Sequence, residues 1–443
     1  MKARLLLPAI FIATIAAVCA AEPDPRLTVH EWGTFTSVQG SDGVQMSWNP
    51  LVAPELPKFV YDRHPPELGG TFKISFMTRQ RMETPVLYFY SDRARTLDVA
   101  VRFPEGMVTE WYPDKSAAPP SQPLARLVPT SKDVPPPAVA ANLTPADAIA
   151  AQLRASVQGK TVVAPPALHW KKVEVLAPSA DAAALPWENS GSHYYAARET
   201  DAALLRTTTG GKVETEKFLF YRGVASFVAP LTVKPSGDDA AHVSLTNSGA
   251  EELRNLFLYE VRADGRLAWI AVPKLAPGES QSVALSQAET EGDKLMDSLR
   301  SALVHEGLYE KEAAAMVKTW ESSWFGERGV RVLYTLPREW TDRALPLAVT
   351  PAPKSIERVM VARAEVITPQ MEIALREKMD RYVAAKPEER PRIVEETRAL
   401  GFGRFIEAAS SRARVGQHPP EYYQLSWELI QAARSAPKSA AKL

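Results

Sequence analysis

The sequence predicts an α+β fold, with a β-sandwich-rich N-terminal and central body and a mainly helical C-terminal third. Through about residue 288, apolar and polar residues alternate along short segments, which is the period of half-buried strands. Beyond that point apolar residues recur every three or four positions, as they do on one face of a helix. The 37 prolines in the chain are typical of a loop-rich β protein.

Residues 1–20 have the features of a signal peptide. Lys2 and Arg4 precede an apolar run, and Val18 and Ala20 supply the small residues of a cleavage site. Cys19 is the only cysteine and would leave with this peptide, so the mature chain is expected to hold no disulfide and no thiolate-bound zinc. We therefore predict export with cleavage near Ala20, either into a periplasm or out of the cell.

Charge argues against a nucleic-acid partner, and hydropathy argues against a transmembrane anchor. The 52 acidic side chains balance 52 basic ones without a long basic run, so a nucleic-acid partner is not expected. After the signal peptide, no segment approaches the roughly 20 apolar residues that span a bilayer. We therefore expect no transmembrane anchor.

Residues 21–224 are predicted to form a β-rich domain. A proline- and alanine-rich excursion interrupts it near 113–166, where the alternation is lost. Strand-like segments lie at 27–38, 86–90, 97–103, 107–112, 168–176 and 217–227.

A second β module is predicted at 225–288. Asp264 and Gly265 mark a hairpin turn within it. The run APGES at 276–280, followed by an apolar segment, resembles the closing strand of immunoglobulin-like β-sandwiches. This resemblance implies an immunoglobulin-like sandwich, a fold that carries no chemistry by itself.

Residues 289–436 are predicted to be an α/β region dominated by helices, followed by a frayed tail at 437–443. Gly307 separates the first two helices and predicts an αα-hairpin. The predicted helices lie at 295–307, 310–325, 369–385, 390–400, 403–411 and 421–434, and the predicted strands at 330–336 and 356–367.

Several long strings resemble a family of uncharacterised exported bacterial proteins. They are VHEWGTFT at 29–36, RMETPVLYFY at 81–90, EWYP at 110–113, HYYAARETD at 193–201 and KFLFYRG at 217–223. The resemblance implies export. It implies no activity and no catalytic residue.

The string at 193–201 is the densest group of polar side chains and a candidate ligand or metal site. His193, Glu199 and Asp201 offer nitrogen and oxygen ligands that suit zinc, manganese or calcium. The alternative is a surface network of salt bridges with structural tyrosines. The remaining side chains of the string would support either arrangement: Tyr194, Tyr195 and Arg198.

His30 and Glu31 are candidates for acid–base catalysis. Alternation places Glu31 on the same strand face as Leu27, Val29 and Phe35, and a buried carboxylate must find a partner or take up a proton. Arg81 or Arg222 could instead pair with Glu31 in a structural ion pair.

The sequence holds no complete catalytic motif, so a non-catalytic binding or scaffold protein is the leading hypothesis, with an unidentified protein or glycan as its partner. No cofactor is predicted. The first alternative is a metal-assisted hydrolase that binds a divalent metal at 193–201 and uses Glu31 as acid or base. The second is a carbohydrate-binding protein, since tryptophans and tyrosines recur through the β half and could stack on sugars or fill the core.

Overall fold

In the computed structural model the described residues are 24–48, 56–62, 78–116, 122–123, 163–164, 167–178, 185–236, 242–285, 288–413 and 419–435. The predicted signal peptide, most of the excursion at 113–166 and the predicted frayed tail lie outside them. Within them, strands and helices form several sheets and two helical layers, which confirms the α+β class.

Each strand predicted within 21–224 overlaps an observed strand, while the hairpin at 205–216 was not predicted. The strands are β1 (Asp24–Gln39), β2 (Gln45–Met46), β3 (Tyr61–Asp62), β4 (Gln80–Ser91), β5 (Arg95–Arg102), β6 (Gly106–Tyr112), β7 (Gln122–Pro123), β8 (Val163–Ala164), β9 (Ala167–Val175), β10 (Leu205–Thr209), β11 (Lys212–Glu216), β12 (Leu219–Ala225), β13 (Leu231–Ser236), β14 (His242–Asn247), β15 (Leu253–Val261), β16 (Leu267–Leu275), β17 (Ser280–Ala284), β18 (Gly329–Thr335), β19 (Leu347–Thr350) and β20 (Pro353–Val366).

A ten-stranded sheet dominates the fold, in the order β16-β15-β18-β20-β1-β4-β12-β6-β3, with β2 paired to β1. β1 lies near its centre, antiparallel to β4 and parallel to β20. Its alternation is as predicted: Val29 and Phe35 enter one core and Trp32 enters the core on the other face. The sheet is therefore covered on both faces.

Two smaller sheets cover the first face. They are β11-β10-β9-β5-β19 and β13-β14-β17, and their apolar side chains share one core with the ten-stranded sheet. The strands of the predicted module at 225–288 divide between two sheets, because β15 pairs with β18 and so continues the large sheet. The large sheet therefore includes strands from both sides of residue 288, where the predicted module ends.

Most helices cover the second face and one end, close to their predicted positions. The short helix Arg338–Ala344 was not predicted, and its Trp340 packs against the core of the first face. Leu295, Leu299 and Leu303 form the buried stripe of the first helix, and Gly307 adopts a φ of 115° in the turn that follows. Burying each leucine contributes about 1.5–3 kcal/mol. The helices are α1 (Gly292–His305), α2 (Glu310–Trp324), α3 (Arg338–Ala344), α4 (Pro369–Ala384), α5 (Arg390–Arg398), α6 (Ile406–Ala413) and α7 (Pro420–Ser435), with 3-10 turns at His193–Arg198 and Gly403–Phe405.

α1 and α2 pack as a hairpin over the centre of the second face, while α4 to α7 form a separate apolar cluster around Trp48 and Phe405. In the described part of the chain, none of the helices combines the length and the apolar character needed to cross a bilayer.

Candidate functional site

His30 and Glu31 point to opposite faces of the large sheet and take part in separate networks. Glu31 is fully buried; its Oε1 accepts a hydrogen bond of 2.5 Å from the Tyr221 hydroxyl, and its Oε2 accepts one of 2.5 Å from Arg358 Nε. The prediction of Arg81 or Arg222 as the partner of Glu31 is wrong. On β12 it is Tyr221 that faces Glu31, so its neighbour Arg222 necessarily faces the other side of the sheet.

Arg358 holds Glu31 in an enclosed ion pair. Its Nη1 also donates a 2.7 Å hydrogen bond to Asp342 Oδ1 on α3. Burial alone would lower the pKa of Arg358, but Glu31, Tyr221 and Asp342 together outweigh burial and keep that pKa above its ordinary value. Burial raises the pKa of Tyr221 well above 10, so the phenol stays a neutral donor to Glu31. Both oxygens of Glu31 therefore have buried donors.

His30 faces α2. Its Nδ1 lies 2.7 Å from Glu312 Oε2, and the hydroxyl of Tyr90 donates a 2.8 Å hydrogen bond to Glu312 Oε1. The backbone N–H of Tyr309 donates to the same carboxylate, and the rings of Tyr309 and His30 lie 4.4 Å apart between centroids. His30 and Glu312 are both buried, so the contact between them holds the first turn of α2 against β1.

The string at 193–201 folds as a 3-10 turn that packs on α2. The Ser192 hydroxyl accepts the N–H of Tyr194 and so caps the start of the turn. Tyr194 and Arg198 both donate to the buried carboxylate of Glu216, at 3.1 and 2.6 Å. Burial raises the pKa of Glu216, although Arg198 opposes that effect.

The three predicted metal ligands of this string meet three different partners. Glu199 pairs with Lys318 at 2.7 Å and Asp201 pairs with Lys311 at 2.6 Å, both on the exposed side of α2. His193 Nε2 lies 2.9 Å from Arg222 Nη2. No group of three or more His, Cys, Asp and Glu side chains that could hold a metal ion occurs among the described residues.

A row of buried charged side chains crosses the second face of the sheet, from β18 to β6, between the α1–α2 hairpin and the α4–α7 cluster. We call it the polar belt. At the β18–β20 end of the belt two arginines meet two glutamates, and we call this end the balanced half. Arg331 and Arg363 both donate to Glu365, at 2.9 and 2.8 Å, and Arg363 also donates to Glu327. Burial would raise the pKa of Glu365, but the two guanidinium groups lower it on balance.

The other part, the basic half of the belt, consists of Arg81, Arg222, Arg404, Glu83 and Glu110. Arg404 Nη1 donates to Glu83 at 2.6 Å, and Arg81 Nη2 donates to Glu110 at 2.9 Å. Arg222 lies on β12 opposite Glu110 and next to β4, the strand of Arg81 and Glu83. Burial lowers the pKa of Arg222 to about 10, and Arg81 and Arg404 act in the same direction. The predicted supporting residues Arg81 and Arg222 thus lie together, away from Glu31.

A surface of aromatic side chains, the aromatic ledge, lies at the β3–β6 edge of the large sheet. Trp187 is 68% exposed and packs against Tyr195, with 4.1 Å between the ring centroids and 34° between the ring planes. Half-buried Tyr61 lies nearly parallel to Trp111, with 11° between the ring planes. Ring contacts connect the whole ledge, which consists of Phe59, Tyr61, Trp187 and Tyr195 above buried Trp111, Tyr112 and Tyr194.

Polar groups border the ledge. The Tyr61 hydroxyl donates to Glu214 at 2.7 Å and receives a hydrogen bond of the same length from Lys212. The ammonium of Lys115 lies 4.2 Å from the Trp111 ring centroid. The ledge therefore combines flat apolar rings with hydrogen-bonding groups at their edges.

The sequence matches no protein-family model and no curated protein. Among solved structures it is similar to the yeast delta-COP-I mu-homology domain, alone and complexed with a Dsl1 WxWxV peptide. In both cases the identity is 8% and the match covers 77% of this chain and 98% of that chain, with TM-scores of 0.25 and 0.24.

Proposed function

We propose that this chain is a non-catalytic, exported binding protein whose aromatic ledge binds a glycan. The observation that carries the proposal is the exposed ring of Trp187, which continues through Tyr195 into a connected aromatic surface instead of lying alone. Aromatic rings in this number usually fill a core, and an exposed tryptophan packed against a second ring provides contact area for a partner.

The chemistry of the ledge favours a glycan over an apolar partner. Sugar rings present a flat face of C–H groups, which packs on aromatic rings, and hydroxyls at their edges, which need donors and acceptors. The exposed ammonium of Lys212 and the hydroxyl of half-buried Tyr61 provide such groups. Ionic groups of both signs border the ledge, so no strong charge on the ligand is required.

Isothermal titration calorimetry against a panel of neutral and acidic polysaccharides tests the proposal. Trp187→Ala removes an exposed ring, so the fold should be retained while the affinity falls about tenfold or more. Trp427→Ala is the matched control, because Trp427 is 58% exposed on α7 outside the ledge, and its loss should leave binding unchanged. Absence of heat across the panel, or equal loss in both variants, would refute glycan binding at the ledge.

Export is part of the proposal and rests on the features of residues 1–20. Mass spectrometry of the protein isolated from its native cell should find a chain that begins at Ala21. A chain that keeps Met1 to Ala20 would contradict it.

A further inference from the structure

We infer that a cavity at the ends of β15 and β18 binds a small organic acid. Its carboxylate would contact two arginines at the mouth, and its apolar part would lie against the interior wall. The described residues enclose a volume of about 460 Å³ there, and ligand sites typically measure roughly 300–1,000 Å³. The cavity lies near the opposite edge of the large sheet from the aromatic ledge, so the inference does not depend on the proposed function.

The interior wall of the cavity forms where the three apolar cores of the protein meet. Val261 belongs to the core of the second face, and Leu285 and Val330 belong to the core of the first face. Met371 and Leu400 are half-buried and pack against the α4–α7 cluster. Ligand sites are common at such junctions between packed units. A wall of these apolar side chains favours contact with an apolar group over contact with water.

The charged side chains of the lining lie at the mouth. Arg262 and Glu260 are 44% and 32% exposed, and Arg328 is exposed as well. Arg262 Nε donates a 3.1 Å hydrogen bond to Glu260 Oε2, and Arg328 Nη1 donates one of 2.8 Å to the carbonyl oxygen of Ala399. Within the described part of the chain, the Nη groups of Arg262 and the Nε and Nη2 groups of Arg328 make no other hydrogen bond.

The charge of the lining selects a singly charged anion. Two guanidinium groups face one carboxylate, which gives these three side chains one excess positive charge. Guanidinium groups are planar forks that match the two oxygens of a carboxylate. A doubly charged phosphate monoester would bring a second negative charge close to Glu260, which like-charge repulsion disfavours. An organic acid with an apolar body therefore fits both the mouth and the wall.

The test uses the full chain at neutral pH and three probes that separate the two parts of the ligand. Isothermal titration calorimetry would compare sodium octanoate, below its micelle-forming concentration, with sodium acetate, which lacks the apolar body, and with octan-1-ol, which lacks the charge. Octanoate should bind about tenfold more tightly, or better, than either of the other two. Absence of octanoate binding, or equal affinity for octanoate and one of the other probes, would overturn the inference.

Matched variants locate the site. Arg328→Gln removes an exposed guanidinium from the mouth and should weaken octanoate binding about tenfold. Arg266→Gln is the control, because Arg266 is 75% exposed in a turn outside the cavity, and its affinity for octanoate should equal that of the native chain. Should Arg328→Gln not fold, Arg262→Gln serves in its place. Equal affinities of the mouth variant and the control variant would contradict the assignment.

A variant of the wall tests the apolar half of the inference. Met371→Ala shortens a half-buried side chain of the wall and should weaken octanoate binding about threefold or more, while the response to acetate stays unchanged. Unchanged octanoate affinity in this variant would place the ligand outside the cavity and overturn the inference.

Discussion

Replacing Glu31 by glutamine should destabilise the protein strongly, because it leaves the buried guanidinium of Arg358 without its main counter-charge. The two residues are direct neighbours in the β1–β20 ladder, and their side chains are 0% and 1% exposed. Glutamine keeps the shape of the side chain, so packing in this core would hardly change. The variant therefore isolates the loss of charge.

The expected magnitude follows from what remains around Arg358. Removing one member of a buried ion pair costs about 3–5 kcal/mol. Arg358 keeps a second carboxylate, Asp342, at 2.7 Å, but Asp342 is 46% exposed and compensates only in part. Tyr221 can still donate to the amide oxygen of the new side chain. We therefore expect a loss near the lower end, about 3 kcal/mol of unfolding free energy.

Urea denaturation of the native chain, Glu31→Gln, and the double variant Glu31→Gln with Arg358→Met measures this loss. The double variant removes both charges and should recover much of the stability lost in the single one. Glu199→Gln is the control, since Glu199 is 55% exposed in its pair with Lys318 and should cost less than about 1 kcal/mol. A change in Glu31→Gln no larger than in this control would refute the reasoning.

Two further perturbations have signs that the structure fixes. Burial would raise the pKa of Glu83, but Arg404 holds it at about 2 against an ordinary 4.5. A carboxyl whose pKa is lowered by folding contributes stability that is present above about pH 4.5 and is lost as the pH falls through about 2. Glu83→Gln should therefore flatten the decline of the unfolding free energy between those pH values. Parallel declines in the native chain and the variant would contradict this prediction. Gly33→Ala would place its Cβ 2.8 Å from Pro85 Cα, so we expect a loss of about 1–3 kcal/mol in thermal unfolding. Gly292→Ala, whose Cβ meets nothing within 4 Å, should lose none, and equal melting temperatures for the two alanine variants would count against the steric argument.

Local periodicity predicted the elements well. The spacing of Leu295, Leu299 and Leu303 placed α1, and alternation along β1 placed Glu31 in a core, because each pattern depends only on neighbours within one element. Gly307 marked the turn between α1 and α2 for the same reason.

The partners of the candidate residues could not be predicted, because they come from distant parts of the chain. Glu312 meets His30 across 282 residues, and Arg404 meets Glu83 across 321. Alternation tells which face a side chain occupies, and it does not tell which side chain lies opposite. An arginine such as Arg81 has the same signature in sequence whether it is exposed or buried in a belt.

The division of the strands at 225–288 between two sheets has a similar cause. Turn residues such as Gly265 predict that two strands form a hairpin. They carry no information on whether the outer edge of that hairpin ends a sheet or joins another strand, which here is β18.

The parallel pairing of β1 with β20 determines when the large sheet can be completed during synthesis of the chain. Glu31 and Arg358, paired in that ladder, are 327 residues apart, so a growing polypeptide carries β1 with one long edge unpaired until almost the whole sheet has been synthesised. An open edge of that length is a template for association with other chains. Premature termination before β20 would therefore produce an aggregating species and not a smaller folded protein.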